Sequence, residues 1–113
     1  MAHSEHHITG DLDRFVEHLD EYIIKTSATA RLEARSDRRI GDARMVVQVY
    51  ERYSATGGNR LSLTVSAMGL GQDIVVSAIA SGGSTGMFFK VNVLGEEAFL
   101  AKADDAVARF RGA

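Results

Sequence analysis

Leu12, Phe15, Val16, Leu19, Tyr22 and Ile23 recur at steps of three and four residues. Such steps fall on one side of a helix, so they predict an amphipathic helix over about 11–26. Thr9 or Asp11 can cap it by accepting from a free N–H of the first turn. Ahead of it, His6–Thr9 reads as a short strand. The period then changes. Ala28, Ala30, Leu32 and Ala34 alternate with polar residues, which predicts a strand with one buried face. Ser36–Gly41 reads as a charged loop. Arg44–Ser54 reads as a long strand, with Met45, Val47 and Val49 on one face and Val46, Gln48 and Tyr50 on the other. Ala55–Asn59 supplies turn chemistry. Leu61, Leu63, Val65 and Ala67 alternate cleanly with Ser62, Thr64 and Ser66. Gly69–Gly71 makes a reversal, Ile74–Ala80 a strand apolar on both sides, Ser81–Gly86 a loop and Met87–Val93 a last strand. Gly95-Glu96-Glu97 opens a second helix with the stripe Phe99, Leu100, Ala103, Val107 and Phe110. Acids at its start and Arg109 and Arg111 near its end suit the helix dipole.

The predicted order is (β)-α-β-β-β-β-β-α. Short connections favour an antiparallel meander. Both helices must bury their stripes, and a sheet face is the available partner. The expected fold class is therefore α+β, with an antiparallel meander sheet of about five strands and both helices on one face. On the other face Ser62, Thr64 and Ser66 are expected beside Val46, Tyr50, Val75, Ile79 and Phe88. Monomers rarely expose large apolar patches, so this face predicts a homo-oligomer, most simply a dimer.

Composition narrows the function classes. The chain has 113 residues with 13 Lys+Arg against 15 Asp+Glu, which suits one domain over 1–113 and gives no basic field for nucleic acid. Residues 1–8 are read as a mobile tail or a short edge strand. No apolar run approaches the roughly 20 residues of a membrane span. The first seven residues, with three His among them, do not read as a signal peptide. With no cysteine there is no disulfide framework, thiolate metal site or cysteine nucleophile, and a cytosolic setting is expected. With no proline, turns fall to Gly, Asn, Asp and Ser.

Several short motifs stand together: Glu51-Arg52-Tyr53-Ser54, Gly57-Gly58-Asn59-Arg60 with Ser62-Leu63, Ser81-Gly82-Gly83-Ser84, Phe88-Phe89-Lys90 with Asn92, and Gly95-Glu96-Glu97 with Phe99-Leu100. As a set they resemble a family of small uncharacterised bacterial proteins about the length of this chain. The resemblance leaves out the N-terminal His-rich segment and Asp37–Asp42. It implies a bacterial, cytosolic single domain and carries no activity, substrate or cofactor.

Candidate chemistry is sparse. The loop Ser81–Gly86 can present successive N–H groups to an anion, with Ser81, Ser84, Thr85 and Lys90 as further donors around Gly82 and Gly83. It is no phosphate-binding P-loop, because Gly86 runs into Met87 instead of Lys and a helix. A hairpin loop that needs glycines is the simpler explanation, since turns are far commoner than anion sites. Arg52 and Arg60, with Glu51 and Tyr53, flank the Gly57-Gly58 turn and can form either a polar ligand clamp or an ordinary cross-strand Glu51–Arg60 pair. Glu96 and Glu97 point about 100° apart on a helix and read as dipole partners. Asp104 and Asp105 read as solvent-facing. His3, His6, His7 and His18 do not converge in the pattern, so no metal or other cofactor is implied. Arg35, Arg38, Arg39 and Arg44, interrupted by Asp37 and Asp42, read as a solvated loop without an aromatic platform. No Gly-x-Ser-x-Gly elbow is present. The function expected first is a non-enzymatic domain that self-associates. The alternative is a module for a small anionic or polar ligand near Ser81–Gly86, and an enzyme ranks last.

Overall fold

A computed structural model describes residues 1–53, 60–82 and 89–111, with side chains in the C-terminal helix from Leu94 onward. The elements are β1 (Ala2–Thr9), α1 (Leu12–Thr26), β2 (Arg31–Ile40), β3 (Ala43–Tyr53), β4 (Arg60–Leu70), β5 (Asp73–Gly82) and α2 (Phe89–Arg109). The strands form one antiparallel sheet in the order β1-β5-β4-β3-β2. The meander β2 to β5 is thus completed by the first strand, which pairs with β5 at the far edge. α1 carries the chain from that edge to the other. Among the described residues no helix is long and apolar enough to cross a membrane.

Local chemistry fixes the joints. Asp11 caps α1, accepting from the Arg14 N–H at 3.0 Å, while Thr9 is still in β1. Gly41 and Gly71, with φ of 57° and 60°, open two-residue turns between β2 and β3 and between β4 and β5. A positive φ at the first central position matches strand twist in a type II′ turn, and glycine reaches it without a Cβ clash. The second reversal therefore falls at Gly71-Gln72, and Gly69 and Leu70 stay in β4.

The strand alternation sorts the faces. Leu61, Leu63, Val65 and Ala67 of β4, Val46 and Tyr50 of β3, and Ile74, Val76, Ala78 and Ala80 of β5 join the stripes of both helices in one core. α1 contributes Leu12, Phe15, Val16, Leu19 and Ile23, and α2 contributes Phe99, Leu100, Ala103, Ala106 and Val107. Fully burying each large apolar side chain is worth about 1.5–3 kcal/mol, so this face holds the sheet and helices together. A Cβ on Gly95 would lie 3.0 Å from Leu61 Cδ1, so glycine lets α2 lie close on β4.

Several expectations are corrected. Val46 and Tyr50 face the core, because the register puts them beside Ala67 and Leu63. Phe88 and Met87 lie outside the described residues, and Phe89–Val93 belong to α2 instead of a strand. The second helix thus starts before Gly95-Glu96-Glu97, and the fifth strand of the sheet is β1. Glu96 is no first-turn residue: it is 6% exposed, with its carboxylate against the Met1 amino group. Asp104 does not face solvent alone; it meets β1. Ser36–Ile40 is strand, not loop, and β2 has no buried face, since all ten residues are exposed. The helices lie over β1, β5 and β4, so nothing selects apolar residues on β2. Its backbone is held by the ladder to β3, with a bulge between Leu32 and Ala34. Charged side chains along such an edge discourage stray strand pairing.

Arg44 is the one arginine of the basic segment that is half-buried. It donates to Asp37 at 2.9 and 2.8 Å and to Asp13 at 2.7 Å, so it ties β3 to β2 and to the first turn of α1. The guanidinium holds the Asp37 carboxyl below its usual range.

Candidate functional site: an arginine cleft at the strand ends

β3 ends at Tyr53, β4 begins at Arg60, and the α1–β2 connection passes beside them. The three segments form a cleft of about 190 Å³ lined by Thr29, Arg31, Glu51, Arg52, Tyr53 and Arg60. The Tyr53 N–H donates to Thr29 Oγ1 at 3.3 Å, which fixes the connection against β3. Tyr53 lies opposite Arg60 in the ladder, as the turn between them requires. The expected cross-strand pair is present: an Arg60 N–H donates to Glu51 Oε1. Glu33 joins them, accepting from Arg31 at 3.0 Å and lying 3.7 Å from Arg60.

Arg52 differs from its neighbours. Its position points to the helix-covered side, beside Leu61 in the ladder. One N–H donates to Ser27 Oγ at 2.7 Å, and the guanidinium carbon lies 4.4 Å from the centre of the buried Phe99 ring. Ser27 is itself buried. Burial pulls the Arg52 pKa down, and among the described residues no acidic side chain offsets that effect. Such a contact over an aromatic face is favourable, but the cation still loses water.

The sequence candidates are therefore divided. Arg52 and Arg60 both line the cleft, but Arg60 lies with Glu51 on the open face while the Arg52 guanidinium lies on the helix-covered side. Ser81 lies on the open face, with its hydroxyl 3.0 Å from that of Ser62. Gly82 is the last residue of β5 and pairs with Leu61. Gly83, Ser84 and Thr85 lie outside the described residues, as does the Lys90 side chain; Lys90 itself is in the first turn of α2. Thr29, Arg31 and Ser27 were missed in the sequence pattern. No local motif marks them, because the register of β2 against β3 is what brings Arg31 opposite Glu51.

The histidines have other partners. His6 Nε2 lies 2.8 Å from Asp104 Oδ1, which also accepts from Ser4 Oγ at 2.6 Å. The carboxylate sits between the two, whereas nucleophile activation needs the imidazole in the middle. His18 Nε2 donates to the Ala106 carbonyl at 2.7 Å, with its ring against Phe110 and Tyr22. His7 reaches Asp73 at 3.2 Å and His3 reaches Glu5 at 3.5 Å. Among the described residues no three His, Asp or Glu side chains are grouped to hold a metal ion.

The chain matches neither a curated protein nor a solved structure. The model of a family of unknown function, DUF6054, matches residues 1–111, a span that takes in the His-rich segment and Asp37–Asp42 as well. The chain therefore belongs to this family of unknown function.

Proposed function

We propose that this domain is a non-enzymatic module that pairs with a second copy through its open sheet face. The observation that carries the reading is the order of side chains across that face. Three rungs run from β1 to β2: His7, Val75, Met68, Met45, Arg38; then Glu5, Ser77, Ser66, Val47, Ser36; then His3, Ile79, Thr64, Val49, Ala34. β4 is the middle strand, and apolar residues flank it on both sides. A twofold axis along β4 would set Val75 on the partner's Met45, Ile79 on the partner's Val49, and Met68 on its own copy. The same operation brings the β1 edge over the β2 edge, with Glu5 over the partner's Ser36 and His7 over the partner's Arg38. Such self-complementarity is what an isologous interface needs.

The size also fits. Five strands about 4.8 Å apart, over about eight residues at about 3.4 Å each, make a face of roughly 24 by 27 Å. That is roughly 650 Å², near the ~800 Å² per partner of a standard interface. Met68 is 51% exposed, and Met45, Val75 and Ile79 are about 40% exposed, so apolar area is there to be buried.

Sedimentation equilibrium tests the reading. A dimer is expected at micromolar concentration. Met68→Glu places two like charges on the axis and should give a folded monomer, whereas Glu17→Lys on the exposed side of α1 should leave the dimer unchanged. A monomeric wild-type chain, or a Met68→Glu variant that still dimerises, overturns it.

A further inference from the structure

We propose that the free edge of β2 pairs antiparallel with the β2 edge of a second copy, centred on Ser36, so that the sheets of two domains run on as one. This contact goes beyond the open-face contact and does not depend on it. β2 ends the sheet, and among the described residues its ladder runs to β3 alone. The other side of this ten-residue strand therefore carries unpaired backbone N–H and C=O groups, and every one of its residues is exposed. Such an edge is a template for another strand.

The charges on this edge exclude most registers and leave one. A twofold axis normal to the sheet keeps the same face of both copies upward, so each residue must meet one from its own face. Ala34, Ser36 and Arg38 stand on the open face with Val49, Val47 and Met45; Arg35, Asp37 and Arg39 stand on the helix side with Gln48, Val46 and Arg44. An axis at Arg35, Arg38 or Arg39 sets arginine on arginine. An axis at Asp37 sets that residue on its own copy and Arg35 on the partner's Arg39. An axis at Ala34 runs into the bulge at Glu33. An axis at Ser36 sets Arg35 on the partner's Asp37 twice, and Arg38 on the partner's Ala34 twice. The four central charges then alternate along and across the strands, with Arg35 and Asp37 already 3.7 Å apart within one copy. Opposite charges on facing strands favour pairing and like charges oppose it. Asp37 accepts from Arg44 and still has lone pairs for a second guanidinium. The regular edge runs only from Ala34 to Arg38, so this contact is smaller than the face contact, and a covalent trap reads it better than sedimentation. The face axis lies along β4 while the edge axis stands normal to the sheet beside β2. The two do not meet, so a domain that uses both contacts builds an open chain of copies.

The chain has no cysteine, so single cysteines placed on β2 report the register. Pairing centred on Ser36 sets its Cα about 4.5–5.5 Å from that of its copy, within the span of a disulfide. Ala34 and Arg38 lie opposite each other, and each is about 14 Å along the strand from its own copy. Under mild oxidation by oxidised glutathione, Ser36→Cys should give a covalent dimer on non-reducing electrophoresis. Ala34→Cys alone and Arg38→Cys alone should stay mostly single chains, whereas a mixture of the two should join. Arg35→Glu added to Ser36→Cys sets carboxylate against carboxylate and should cut the yield several-fold. Met68→Glu added to Ser36→Cys should leave the yield unchanged, since the face contact holds the two copies of Ser36 about 19 Å apart, four strand spacings. A Ser36→Cys yield no greater than that of Ala34→Cys, a yield indifferent to Arg35→Glu, or a yield lost with Met68→Glu would each overturn the assignment. A monomeric wild-type chain in sedimentation would remove the face contact and leave these expectations standing, so the two readings fail separately.

Discussion

Tyr50→Phe removes one oxygen from the centre of the molecule. The Tyr50 side chain is fully buried, and its hydroxyl donates to Asp20 Oδ1 at 3.0 Å while accepting from Gln48 Nε2 at 2.5 Å. Gln48 is 3% exposed, and its Oε1 accepts from Arg35 at 3.1 Å. The chain Arg35–Gln48–Tyr50–Asp20 thus links β2, β3 and α1. The phenylalanine ring fills the same space, so packing changes little. The Gln48 N–H loses its partner where water does not reach, at a cost of about 1–3 kcal/mol. Asp20 is half-buried and recovers hydration. A net loss of about 2 kcal/mol follows, which for 113 residues is a fall of about 8 °C in Tm. In a Gln48→Met background the orphaned donor is gone, and the same substitution should cost about 1 kcal/mol less. Urea denaturation of the four variants at one protein concentration measures this coupling, since dimerisation would otherwise shift the midpoint. A cycle additive within about 0.3 kcal/mol would refute the reasoning.

Three further predictions follow from named contacts. Burial, reinforced by the Asp20 charge, raises the Tyr50 pKa; the folded state then keeps a proton that the unfolded chain loses, so stability is flat below pH about 10 and falls above it, and Tyr50→Phe should remove that part of the alkaline slope in urea midpoints. Gly41→Ala should cost about 1–2 kcal/mol through φ alone, because its Cβ would meet nothing within 4 Å, and Gly41→Asn should recover part of the loss; a thermally silent Gly41→Ala contradicts this. Asp104→Ala deletes the acceptor of Ser4 and His6, so amide exchange should quicken across β1 while β3 and β4 keep their protection; uniform change across the sheet would mean that β1 is not docked by this contact.

Legibility in the sequence tracked burial. α1 was readable because Leu12, Phe15, Val16, Leu19 and Ile23 all meet the core, and β4 because its two faces meet different surroundings. β2 was not. Arg31–Ile40 has no covered face, so its polar run carries no period-two signal and resembles a loop. Met87–Val93 misled in the opposite sense: apolar and polar residues alternate there as in a strand, yet Phe89–Val93 continue into the long α2, where helical hydrogen bonding overrides local preference. Of the candidate site, Arg52 and Arg60 were visible through their turn, but Ser81 proved to lie on the opposite side of the sheet from Arg52.

By itself the sequence determined the element types wherever one surface of an element is dry, and the polar–apolar sorting along β4. The tertiary structure decided that β1 closes the sheet beside β5, that Val46 and Tyr50 are core, and that Arg31 and Arg60 come beside Glu51 on the open face. The physical reason is distance along the chain: helix and strand periods are set by residues a few positions apart, whereas strand order, face and charge balance arise from pairings between segments tens of residues distant, which no local pattern records.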